Sequence, residues 1–149
     1  AILSEDRKYR YVLSRIWDES KSMVMIIGLN PSTADETIDD PTIVRCIDFA
    51  KNWGYGGIYM LNLFAFRATA PSDMFNASSP IGEENSKYIE KYSKLSDKVI
   101  CAWGNNGNFK NRSKEVLLNI ENKFYLKLNK TGEPAHPLYL NKNLIPIKF

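Results

Sequence analysis

Two asparagines and one histidine stand where the surrounding pattern calls for something else. Asn30 follows the apolar run 23–29 (MVMIIGL), and Pro31 keeps it out of helical geometry. Ser32 and Thr33 then add hydroxyls and free backbone N–H groups. A strand end built this way can hold a base or a phosphate; the plainer alternative is a turn whose asparagine bonds its own backbone. Asn62 interrupts a second apolar run, 58–64 (IYMLNLF), where strand propensity favours an apolar residue. A buried carboxamide left without partners costs about 1–3 kcal/mol. Its donor-plus-acceptor face matches the edge of a nucleobase, or else it pins a neighbouring loop. A third run, 98–103 (KVICAW), ends in Trp103-Gly104-Asn105.

The remaining chemistry is carboxylate, cationic and aromatic. Asp35, Glu36, Asp39 and Asp40 crowd four carboxylates into six positions, as a magnesium site or a general base would require. Asp39 and Asp40 also precede Pro41, where acidic residues favour the positive end of a helix, and they are assigned to that role. Asp35 stays as a candidate base near the strand end. Trp53, Tyr55, Phe64, Phe66 and Trp103 cluster near strand ends; Phe64 and Trp103 are taken as candidates to stack on a base, which is worth about 1–3 kcal/mol. Arg67 is a candidate phosphate or carboxylate clamp, and Arg45 a weaker one. His136, the only histidine, is placed to donate to an oxyanion or carbonyl oxygen, and a single imidazole excludes sites that need two.

Elements must bring these residues together. Residues 9–17 alternate as a strand, and 23–29, 58–64 and 98–103 read as buried strands. Helices are expected over 41–53, 83–95 and 110–120, with Pro41 at a first turn and Gly54 at a stop. A short strand is expected at 124–128, and a turn over 130–134 leads to His136. Alternating strands and helices predict an α/β fold: a single three-layer α/β/α domain over residues 1–149 with a mainly parallel central sheet. Ligands of such sheets bind at the carboxyl ends of strands, where Asn30, Asn62 and Gly104-Asn105 fall.

Composition narrows the class further. Hydrophobic residues at 44% and charged residues at 25% exclude a disordered chain. No apolar run approaches the roughly 18–20 residues that cross a bilayer, and no charged-then-apolar leader is visible, so no membrane partner is expected. Cys46 and Cys101 sit in apolar patterns as free thiols, which predicts a reducing, cytoplasmic setting. Residues 105–149 hold eight Lys/Arg against three Asp/Glu, whereas residues 1–104 hold 12 against 14. The basic third could face phosphates or be a solvated helix face.

The strings LNPSTADE (29–36), DDPT (39–42), WGYGG (53–57), NLFAFRAT (62–69), AWG (102–104) and HPLYL (136–140) resemble a family of bacterial and phage proteins known only as a domain of unknown function. The resemblance spans nearly the whole chain. A more distant one is to the uracil-DNA glycosylase superfamily. Gly28-Leu29-Asn30-Pro31 is similar to its first motif, in the Gly-Ile-Asn-Pro form of the mismatch-specific branch. Asn62 matches the asparagine that reads the base, and His136-Pro137 resembles the His-Pro motif. This likeness implies that Asn30 positions an attacking water, Asn62 bonds the base edge, and His136 stabilises charge on the base oxygen. The chain departs at Ser32 to Glu36, and Leu138-Tyr139-Leu140 replaces the Ser-Pro-Leu-Ser continuation that pinches DNA. No stacking phenylalanine stands at the expected place. A base pocket is therefore better supported than the duplex-gripping surface that base flipping needs.

The expected ligand is a nucleobase or nucleotide, with nucleic acid as a possible partner and neither cofactor nor metal. Its binding set is Asn30, Pro31, Ser32, Thr33, Asn62, Phe64, Arg67, Trp103, Gly104, Asn105 and His136. Non-catalytic binding, for instance sequestration of a signalling nucleotide, is favoured. The alternative is hydrolysis of an N-glycosidic bond by Asn30, Asp35 and His136. A magnesium-dependent phosphohydrolase built on Asp35, Glu36, Asp39 and Asp40 is the third reading.

Overall fold

A computed structural model describes residues 1–149. The strands are β1 (Ile2–Leu3), β2 (Arg10–Ile16), β3 (Met23–Gly28), β4 (Gly57–Asn62), β5 (Lys98–Cys101), β6 (Lys123–Tyr125) and β7 (Ile147–Lys148). The helices are α1 (Pro41–Asn52), α2 (Pro71–Phe75), α3 (Asn85–Lys94) and α4 (Arg112–Leu118), with 3-10 turns at Asn105–Asn111 and Pro137–Tyr139. No helix is long and apolar enough to cross a membrane.

All seven strands form one sheet in the order β1-β2-β4-β3-β5-β6-β7. The pairs β4/β3, β3/β5 and β5/β6 are parallel. The pairs β1/β2, β2/β4 and β6/β7 are antiparallel. The sheet is thus mixed, and the expectation of a mainly parallel one holds only for its centre. The reason is connection length. A parallel crossover needs a dozen or more residues, roughly, and α1, α2–α3 and α4 supply that bulk after β3, β4 and β5. Only a short turn joins β2 to β3, so β2 runs against its neighbours and caps the β4 edge.

Strand alternation sends side chains to opposite faces. Met25 and Ile27 join one apolar cluster with Ile89 of α3 and Val116 of α4. Val24 and Ile26 join another with Ile43, Cys46 and Phe49 of α1. Both cysteines are buried and unpaired, and burial pushes the Cys46 thiol up to about 12. The helix expected over 110–120 begins only at Arg112, because Lys110 and Asn111 take positive φ of 53° and 59°. The strand expected at 124–128 is confined to Lys123–Tyr125.

The centre of the sheet positions the site. β3 lies between β4 and β5, so the chain leaves β3 to one side and later returns to the other. Such a switch of direction opens a crevice at the strands' carboxyl ends. Backbone bonds continue past the strands: Leu63 N donates to Gly28 O at 2.9 Å, Phe64 N to Leu29 O at 3.0 Å, and Ala102 N to Ile27 O at 2.9 Å. Asn62 at the end of β4 and the loops carrying Asn30 and Trp103 are therefore held on one hydrogen-bonded platform.

Candidate functional site

A cavity of about 320 Å³ opens at this switch point. The sequence-predicted residues Asn30, Pro31, Ser32, Asn62, Trp103, Gly104, Asn105 and His136 all line it. Arg10 and Thr42 line it too, which sequence reasoning did not include, as does Asp40, which it assigned to the start of the helix rather than to the ligand site.

Asn62 and Gly28 are register partners at the ends of β4 and β3. A Cβ on Gly28 would lie 2.9 Å from Asn62 Nδ2 and 2.9 Å from Met60 Cε, so glycine makes room for the amide. Asn62 is 2% exposed. Its Oδ1 accepts from Arg10 Nη2 at 3.2 Å, and an arginine can only donate. That fixes the amide's orientation and leaves Nδ2, which donates to no protein group, as the end offered to the cavity. The main chain is braced from behind: Asn85 Nδ2 donates to Asn62 O at 2.9 Å and Leu63 O at 3.0 Å, and Arg112 Nε donates to Leu63 O at 2.9 Å.

Arg10 is also 2% exposed. Burial pushes its guanidinium down to about 10, with Asp40 opposing that shift and the charges of Arg67 and Arg15 adding to it. It stays protonated at neutral pH. Nη1 donates to Ala34 O at 3.2 Å, while Nε is buried without a partner. No carboxylate forms an ion pair with Arg10, so a buried cation stands beside the cavity without direct compensation. The sequence carried one sign of it: a charged residue inside the run Tyr9-Arg10-Tyr11-Val12-Leu13.

Asn30 is oriented the opposite way. Its Nδ2 donates to Pro31 O at 3.1 Å and Ala68 O at 2.9 Å, leaving Oδ1 as the free acceptor. His136 caps the turn at Pro137–Tyr139, with Nδ1 accepting from Leu138 N at 3.3 Å. Nδ1 is thus unprotonated, and the neutral ring carries its proton on Nε2. The imidazole sits exposed at the mouth, where desolvation by its flanks lowers its pKa and the Asp40 charge opposes that shift. Asp40 is the N-cap of α1, with Oδ1 accepting from Ile43 N at 2.9 Å. Its helix-capping role is as expected from sequence, and the same carboxylate also lines the cavity.

Trp103 forms a wall rather than a free stacking surface. It is almost fully buried, its Nε1 donates to Glu133 Oε2 at 3.2 Å, and Gly107 packs against the indole. Asn105 turns its Oδ1 to Asn129 Nδ2 and Thr131 Oγ1.

Four predicted residues lie elsewhere. Phe64 is fully buried in the core, its ring centroid 5.5 Å from that of Phe109: beyond the end of β4 the chain leaves strand alternation, and Phe64 packs in the same cluster as Leu61 and Leu63. Asp35 caps its own loop by accepting from Thr37 N and Ile38 N, which hold its carboxyl below the usual range. Thr33 and Arg67 line a neighbouring groove instead. The acidic quartet disperses: Glu36 pairs with Arg7, Asp39 with Arg15, and no group of three metal-ligating side chains forms.

The fold is that of an α/β protein with a polar cavity at the switch point of its mixed sheet. The chain belongs to a family described as a protein of unknown function (DUF1643), whose model matches residues 10–138. No curated protein and no solved structure matches the chain.

Proposed function

We propose that the cavity recognises a nucleobase or nucleotide and holds it without cleaving it, in a three-layer domain of the uracil-DNA glycosylase type. The observation that carries this reading is the opposed orientation of two amides. Asn62 offers a donor, Asn30 an acceptor, and His136 Nε2 a second donor. Alternating donors and acceptors match the edge of an amide-like heteroaromatic ring, whose carbonyl oxygen would meet Asn62. Arg10 behind Asn62 strengthens that donor toward a partially negative oxygen. Mass spectrometry of small molecules retained by the purified protein tests this directly. A nucleotide bound by the wild type and lost in Asn62→Ala is expected; a protein that retains and binds none refutes the reading.

Asp40 favours a second reading, hydrolysis of an N-glycosidic bond. It would take a proton from a water held by Asn30 Oδ1 as the water oxygen bonds C1′. The C1′–N bond would break with its electron pair passing to the base, whose oxygen His136 Nε2–H would stabilise. A cytoplasmic location fits the two buried free thiols.

A further inference from the structure

Beside the cavity lies a second concavity of about 410 Å³, lined by Arg7, Lys8, Ser32, Thr33, Arg67 and Thr69 among others. Ser32 lines both. Backbone bonds lace its walls together: Arg67 N donates to Lys8 O at 2.8 Å and Ala68 N to Pro31 O at 2.9 Å. Arg67 Nη1 and Nη2 reach Arg7 O at 3.3 Å and Thr33 O at 3.5 Å. Three chain segments are thereby held with their polar side chains on one face.

The charge in this groove is one-sided. No carboxylate lines it. Arg7 is committed to Glu36 at 2.9 and 3.1 Å, and Asp35 lies 4.0 Å away. Lys8 and Arg67 form no ion pair, and the Arg67 charge is felt at buried Arg10. Two cations outside any ion pair and three hydroxyls, with the nearest carboxylates (Asp6 beside Lys8, Glu36 on Arg7) outside the lining, suit phosphoryl oxygens, which accept several charge-assisted hydrogen bonds at once.

We propose that this groove binds the polyphosphate of a free nucleotide, with Arg67 and Lys8 as its cationic ligands and Ser32 at the junction with the base. The reading of the cavity supplies only what the phosphates are attached to. The groove's own chemistry stands apart from it.

Calorimetric titration with inorganic tripolyphosphate tests the groove alone. The wild type binds it, and affinity falls about tenfold or more in Arg67→Ala and in Lys8→Glu. The Lys8 side chain makes no hydrogen bond, so that variant keeps the fold if Arg67→Ala does not. Asn62→Ala binds tripolyphosphate as the wild type does. Absence of tripolyphosphate binding, or unchanged affinity in Lys8→Glu, overturns the proposal. If tripolyphosphate binds and both variants lose it, while nucleoside triphosphates bind no better, the groove stands and the base reading falls. An oligonucleotide that binds more tightly than any nucleoside triphosphate, with log affinity falling by about 0.7 per phosphate contact per log unit of salt, overturns the commitment to a free nucleotide.

Discussion

Arg10 Nη2 donates to Asn62 Oδ1 at 3.2 Å, and that one bond decides which end of the Asn62 amide the cavity receives. The pairing crosses from β2 to the end of β4, its antiparallel neighbour. It converts an ambidextrous carboxamide into a pure donor.

Asn62→Asp separates the ligand role from the structural one. The carboxylate keeps Arg10 as a partner and adds the countercharge that Arg10 lacks, so thermal stability is expected to hold or rise. The donor toward the cavity disappears, and a ligand carbonyl would face an anion. Ligand affinity should fall by about 1–3 kcal/mol, roughly 5- to 150-fold. Unchanged affinity in a stable Asn62→Asp protein, measured by calorimetry, would remove Asn62 from recognition.

Gly28→Ala asks the same question through the backbone. The added Cβ meets Asn62 Nδ2 and Met60 Cε at 2.9 Å each, so the amide or the methionine must move. Overpacking of this kind costs about 1–3 kcal/mol of stability. We expect a lowered Tm together with weakened ligand binding. A destabilised variant with full affinity would show that Met60 yields and Asn62 does not.

The buried runs around residues 23–29, 58–64 and 98–103 made the central strands and the end-of-strand residues legible. Asn30, Asn62 and Gly104 stood out because each breaks or ends an apolar pattern. Arg10 did not, and Asp40 was legible only as a helix-start carboxylate, since their places at the cavity depend on which sheet edge β2 joins and how α1 enters. Periodicity marks a strand but does not name its neighbour. Phe64 and Arg67 were misplaced because both follow the end of β4, where strand alternation no longer says which way a side chain points: Phe64 enters the core and Arg67 lines a separate groove.

Asp40→Asn distinguishes binding from catalysis with little structural disturbance. Asparagine caps helices about as well as aspartate, so the α1 cap should hold, and the stability lost is what the Asp40 charge gives buried Arg10. We expect the wild type to leave a bound nucleotide's N-glycosidic bond intact, and the variant to bind at least as tightly once the cavity loses its carboxylate. Chromatographic detection of free base with the wild type, lost in Asp40→Asn, would instead establish the hydrolase.

His136 supplies a pH signature. Its pKa is held below the ordinary 6.5 by desolvation, and Nδ1 is occupied by Leu138 N–H, so the folded state favours the neutral ring. A group with a depressed folded pKa contributes stability that is fully present above its unfolded value and is lost as pH falls toward the folded one. The wild type should therefore lose stability below about pH 6.5, and His136→Gln should lack that component of the slope. Binding follows a related logic. Glutamine can replace the Nε2–H donor, whereas alanine cannot, so Ala should weaken ligand binding more than Gln. In the hydrolytic reading Ala would also slow turnover by around 10²–10³, the usual cost of one oxyanion donor. Denaturation midpoints at pH 5 and 8, with titrations of both variants, provide the check. If the pH dependence of stability survives in Gln, and Ala binds like the wild type, the imidazole has no part in the site.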